Sequence, residues 1–179
     1  VEACRTPGGG IAAPAGSDPV LAAHGLATET DPSDGALPSG RSLLADAALL
    51  LAALTGDAAH RRIAEDALAP ALGVAAAQPS AFGGALAAAS ALVEPLEQLV
   101  IVAEPGEEAA LVAAVADWHR GVLAVAGPDR ARELADAGFE LFAGRGLRDG
   151  EPAAYYCERF VCALPVSSPD ALRTLVGLG

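Results

Sequence analysis

The spacing of apolar positions along the chain changes character near residue 95. Before it, Leu43, Ala47, Leu50 and Leu54 recur on one helical stripe with Leu44 and Leu51 beside it, which predicts a helix over 41–55 ending at Gly56. Asp57 follows as an N-cap, and Ile63, Ala67 and Leu68 predict a second amphipathic helix over 57–72, so the two form an αα-hairpin with a tight turn. A third helix is expected from near Ser80 through Phe82, Leu86, Ala89 and Leu92 to Val93, where Pro95 breaks it. Beyond Pro95 the runs become short and β-branched. Residues 99–103 read as a buried strand, 107–119 as a helix and 122–126 as a second buried strand, a βαβ unit with a parallel strand pair. A short helix is expected after Pro128-Asp129, a third strand at 139–143, a turn over 146–150 and a fourth strand at 153–157. Ser168 caps a terminal helix with Pro169 at its first position, where a missing N–H costs nothing.

Ahead of these elements, Gly8-Gly9-Gly10 and several Pro, Ser, Thr and Asp residues lack sustained periodicity and read as loop. The expected organisation is a loop-rich segment (1–40), a helical hairpin region (41–95) and a small α/β region (96–179), a mixed α and α/β fold. The length of 179 residues allows one ordinary domain or two very small ones. A net charge of −12 argues against nucleic acid or an anionic membrane surface as partner. Hydrophobic residues make up 53% of the chain, but much of that is alanine, which buries little area, so the core is expected to be thin and helix-rich. Residues 67–93 carry no charge, yet Pro70, Gly73, Pro79 and Gly83-Gly84 interrupt them and alanine dominates, so they read as loop plus buried helix and not as a membrane span. A soluble, cytoplasmic protein is expected. Met, Lys and Asn are all absent, a pattern of GC-rich coding. With Val1 opening the chain, the lack of Met leads us to expect a piece of a longer protein, with a GTG start as the competing explanation. No secretory signal pattern opens the sequence.

Residues that could carry chemistry are sparse. The strand-to-helix turn at 103–108 sits where an open α/β sheet would hold a phosphate, but it supplies Glu104, Glu107 and Glu108 and no glycine-rich fingerprint; the glutamates complement the helix dipole instead. Cys157 and Cys162 have a C-x4-C spacing that matches neither the C-x-x-C redox pattern nor half of a paired zinc site. They read as buried or semi-buried thiols packing as small hydrophobes, with a redox or metal role as the other reading. A disulfide would require the chain to double back between them. Arg159, close by, is a candidate for lowering a thiolate pKa. His24, His60 and His119 are scattered and have no metal-ligand spacing, and no cofactor or metal is expected. Ser39, Ser42 and Ser80 have no visible triad partners. Asp31 and Asp34, in the loop before the first helix, are the candidates for carboxylate acid/base catalysis; the other reading makes them turn-forming residues of Asp31-Pro32-Ser33-Asp34-Gly35.

Three stretches together resemble a known family: Asp34-Gly35-Ala36-Leu37-Pro38-Ser39-Gly40-Arg41-Ser42 leading through the leucine helix to Leu54-Thr55-Gly56-Asp57; Pro79-Ser80-Ala81-Phe82-Gly83; and Gly150-Glu151-Pro152-Ala153-Ala154-Tyr155-Tyr156-Cys157 with Phe160, Cys162, Pro165 and Pro169-Asp170. Their order and spacing are similar to the C-terminal region of the thioredoxin-domain-containing DUF255 family, the bacterial relatives of spermatogenesis-associated protein 20. The likeness runs roughly from Gly8 to the end; where Arg41 stands, the family usually has Asn. The resemblance implies that the helices belong to a partial (α/α)6-type barrel of the six-hairpin glycosidase kind. It makes Asp34, Gly35, Pro38, Ser39, Gly40 and Ser42 a barrel-mouth loop, and Cys157 and Cys162 the family's C-terminal signature. The implied partners are an upstream thioredoxin-like domain, further barrel helices, and a carbohydrate or a protein client. The functional expectation is a portion of a thioredoxin-fused six-hairpin protein, non-catalytic by itself and carbohydrate-related in the full protein. The alternative is a structural module that positions the redox domain on clients.

Overall fold

The structure, a computed structural model, describes residues 20, 23–24, 33–94 and 96–178. Most of the loop-rich segment expected at 1–40, with Asp31 and Cys4, lies outside the described residues. Six α-helices and four strands follow in a mixed helix-and-sheet architecture among the described residues: α1 (Gly40–Thr55), α2 (Ala58–Ala75), α3 (Gly83–Val93), β1 (Glu97–Val102), α4 (Ala109–Ala114), β2 (Gly121–Ala126), α5 (Pro128–Asp136), β3 (Ala153–Glu158), β4 (Val161–Cys162) and α6 (Pro169–Leu175). Two compact units emerge, and the division falls inside α1: described residues up to Leu49 group with Ala58–Val93, and Leu50–Asp57 with the chain from Glu94 onward.

In the helical unit, α1 and α2 occupy the expected stretches, and Gly56 turns the chain with φ 71°, a left-handed conformation that favours glycine. Pro70 lies inside α2 without ending it; it contributes no N–H to the helical ladder. Ala45, Ala48, Ala64, Ala67, Ala71, Ala75, Ala85 and Ala88 form the buried cluster, and Leu68 and Phe82 are its large members. Leu43, the first leucine of the helical stripe, is 54% exposed, and Leu50 and Leu51 further along α1 are 49% and 40% exposed. Helix α1 thus buries Ser42, Ala45, Ala48 and Ala53, packs Leu44, Leu49 and Leu54 half-buried against the cores, and leaves Leu43, Leu50 and Leu51 outward.

The sheet unit has strand order β2-β1-β3-β4, with β1 and β2 parallel as the βαβ pattern predicts and β1–β3 and β3–β4 antiparallel. One face packs Leu99, Ile101 and Ala154 under Leu111, Val115, Trp118, Leu172 and Val176 from α4, α6 and the turn after α4. The other packs Val100, Val102, Ala153 and Tyr155 against Ala131, Leu141 and Phe142. Three expectations are corrected. The helix expected over 107–119 closes at Ala114, because Val115 and Trp118 turn inward to meet α6. Residues 139–143 form no strand: Leu141 and Phe142 both enter the same core cluster, which adjacent residues of a strand, pointing to opposite faces, cannot do, and a 3-10 turn over Glu140–Phe142 achieves it. β2 is not buried on both faces; it is an edge strand with Leu123 and Val125 exposed. The terminal helix is capped as expected, Ser168 Oγ accepting from the Ala171 N–H at 3.3 Å.

Candidate functional site

The structure gathers the sequence-derived candidates into two separate constellations. The first is centred on Asp34. Its Oδ1 accepts from the Ser39 N–H at 2.7 Å and the Ser42 hydroxyl at 2.8 Å, at the start of α1, and its Oδ2 accepts from the Ala85 N–H at 3.1 Å, at the start of α3. The Asp34 N–H in turn donates to the Ala81 carbonyl at 2.7 Å, so the 34–42 and 79–83 stretches meet here. Ser39 Oγ accepts from the Ser42 N–H at 3.2 Å as a local cap. A Cβ at Gly84 would stand 3.2 Å from Asp34 Oδ2 and from Pro38, which is why a glycine lets α3 come this close. At Gly35 and at Gly40, the first residue of α1, a Cβ would meet open space.

Partial burial pushes the Asp34 carboxyl upward, but the hydrogen bonds from Ser39, Ser42, Ala85 and Gly84 outweigh it and hold the pKa at about 2. One carboxylate therefore caps two helix N-termini, a task that requires it ionised and oriented. That is the turn-forming reading of Asp34, elaborated. A folded-state pKa below the ordinary 3.8 gives stability that is present above about pH 4 and lost as pH falls through about 2. Asp34→Ala is expected to destabilise the helical unit by about 2 kcal/mol at pH 7, as loss of a cap at two helix ends. Urea unfolding followed by helical circular dichroism should show the gap between variant and wild type closing as the pH is lowered from 4 to 2.

The second constellation lies in the sheet unit. Between β3 and β4 the chain does double back. Arg159 (φ 48°) and Phe160 (φ 65°) both take left-handed conformations and form a two-residue turn that sets Cys157 opposite Cys162, Cα atoms 3.9 Å apart. The two cysteines are joined in a disulfide, which corrects the reading of them as packing thiols. Cys157 is fully buried and Cys162 half-buried. The guanidinium beside them is that of Arg145, not Arg159: its Nη2 lies 2.8 Å from Cys162 Sγ and 3.7 Å from Cys157 Sγ. Tyr155 holds it there from below. The guanidinium stands 5.2 Å over the Tyr155 ring, and the Tyr155 hydroxyl donates to the Gly146 carbonyl at 2.8 Å and accepts from its N–H at 3.3 Å. A cleft of about 590 Å³ opens along this arrangement, lined by Phe142, Arg145, Gly146, Leu147 and Tyr155 with Arg132 at its side.

Sequence reasoning missed Arg145 and Gln98. Gln98 is wholly buried in β1; its Nε2 donates to the Ala53 carbonyl at 2.7 Å and its Oε1 accepts from the Phe160 N–H at 2.9 Å, anchoring the hairpin turn that carries the disulfide. The available signal was a lone amide at the head of the apolar run Leu99–Val102. Among the described residues no group of three His, Cys, Asp or Glu is placed to hold a metal, and no helix is long and apolar enough to cross a membrane. Comparison of the chain with protein-family models, with curated proteins and with solved structures finds no match.

Proposed function

We propose that the chain is a structural portion of a thioredoxin-fused six-hairpin protein, non-catalytic by itself, whose α1 leucine face docks on neighbouring hairpins of an (α/α)6-type barrel. The observation that carries this reading is the inverted helix: α1 buries Ser42, Ala45 and Ala48 while Leu43, Leu50 and Leu51 stand exposed. Leucine gains about 2 kcal/mol when fully buried and alanine far less, so a helix that buries alanines while leaving Leu43, Leu50 and Leu51 outward is built to meet a second apolar surface. The resemblance names that surface as the adjoining helices of the same barrel. The capped Asp34 loop supports it further, since its carboxylate is committed to fixing the starts of α1 and α3. In the full protein the barrel would then present a carbohydrate site or a client surface, with the redox domain placed beside it.

The test is binding of an apolar reporter dye such as anilinonaphthalene sulfonate to the folded chain. Strong binding, abolished in a Leu43→Gln, Leu50→Gln, Leu51→Gln triple variant, is the expected result. A monomer that unfolds cooperatively and binds no dye would remove the docking face.

A further inference from the structure

We propose that Cys157–Cys162 is a thiol–disulfide exchange site, reduced by an external dithiol and tuned by Arg145. The inference rests on the sheet unit alone and does not depend on the leucine face of α1. Three observations converge. First, among the described residues Arg145 makes no ion pair, and its Nε is buried without a hydrogen-bond partner. A guanidinium that faces a neutral disulfide has no anion to neutralise. Opening the disulfide creates one within 2.8–3.7 Å of Nη2. The charge therefore favours the reduced pair over the oxidised one, the arrangement that makes a disulfide oxidising. Second, access is one-sided. Cys157 is closed off under the sheet, whereas Cys162 lies half-buried on β4, the two-residue outer strand, between Val161 and Leu164, which are 78% and 82% exposed. An approaching thiolate meets Cys162 first, in an apolar setting suited to a dithiol carried by a protein. Third, the bond closes only a two-residue turn that Gln98 and Leu96 already hold through the N–H groups of Phe160 and Arg159, both at 2.9 Å. The hairpin can survive its opening, so the pair can cycle.

The chemistry balances in two steps. A thiolate of the dithiol attacks Cys162 Sγ; a mixed disulfide forms, and the Cys157–Cys162 bond breaks with its electron pair leaving on Cys157 Sγ beside Arg145. The second thiol of the reductant, as thiolate, then attacks its own sulfur in the mixed disulfide and expels Cys162 as a thiolate, next to the same guanidinium. The dithiol is oxidised to its disulfide, the cysteine pair is reduced by two electrons, and the two protons of the dithiol are left for the two cysteines.

The experiment follows native reduction by dithiothreitol, read by thiol alkylation and mass, in the full chain with Cys4→Ser. Reduction within minutes at millimolar reagent without denaturant is expected, slowed about tenfold in Arg145→Met, with the redox midpoint moving to more reducing conditions. Because Arg145→Met could disturb the fold, a second measurement uses Arg145 intact: in a Cys4→Ser, Cys157→Ser chain, the pH profile of Cys162 alkylation should give a thiol pKa below the ordinary value of about 8.5. Reduction that requires denaturant, an unchanged rate in a folded Arg145→Met, or a Cys162 pKa at or above the ordinary value would each overturn the proposal.

Discussion

Gly121→Ala is expected to cost the sheet unit about 3 kcal/mol or more, the range of a severe backbone clash. Gly121 pairs with Glu97 in the parallel β1–β2 register, and a Cβ there would overlap the backbone carbonyl of Glu97. That carbonyl cannot retreat, because β1 is an interior strand paired on both sides, with Glu97 opposite Glu158 of β3. The strand would have to part from β1 at its first residue. Just before it lies Arg120, which faces the Glu97 carboxylate at 3.5 Å and donates to the Val176 carbonyl, so the damage would spread toward α6. Urea unfolding followed by the fluorescence of Trp118, the single tryptophan and a buried one, measures the loss. Gly127→Ala is the control: a Cβ there meets only the Ala103 carbonyl at 3.8 Å, and the midpoint should hold within about 0.5 kcal/mol.

Gln98→Leu is the second large effect, with an expected loss of about 3 kcal/mol. Leucine fits the volume and the apolar strand, so the cost is electrostatic. It strands the Ala53 carbonyl and the Phe160 N–H, two backbone groups whose partner is the buried amide. Each group left without a partner costs about 1–3 kcal/mol. Phe160 is held in a left-handed conformation and its N–H bond helps to fix the turn, so amide exchange at Phe160 should accelerate in the variant well before global unfolding. A variant as stable as wild type would mean that water replaces the amide at both sites.

The fold was legible where periodicity was strong. Helices α1 and α2, the parallel β1–β2 pair and the Ser168 cap all follow from spacing and cap chemistry. Periodicity identifies a helix and its apolar stripe, but it cannot say which stripe meets which neighbour. In α1 a leucine stripe and an alanine stripe coexist, and the alanines form the packed face of the helical unit. The hairpin at Arg159-Phe160 left no trace for a related reason: two left-handed residues ordinarily announce themselves as Asn-Gly or Gly-Gly, and here bulky residues take the strained positions under the restraint of Gln98 and the disulfide. Asp34 could be read as a loop carboxylate, whereas the second of its two helix caps lies at the start of α3, some fifty residues away. Arg145 carried no motif at all; only the placement of Tyr155 and the doubling-back of the chain bring it to the sulfurs.

The central claim is that Leu43, Leu50 and Leu51 of α1 add nothing to the stability of this chain, because the chain leaves them exposed. Thermal or urea unfolding of the Leu43→Gln, Leu50→Gln, Leu51→Gln triple variant tests it directly. Each surface substitution should change stability by no more than about 0.5 kcal/mol, leaving the transition close to that of wild type. A loss of about 2–5 kcal/mol per leucine, the signature of emptied core positions, would contradict it.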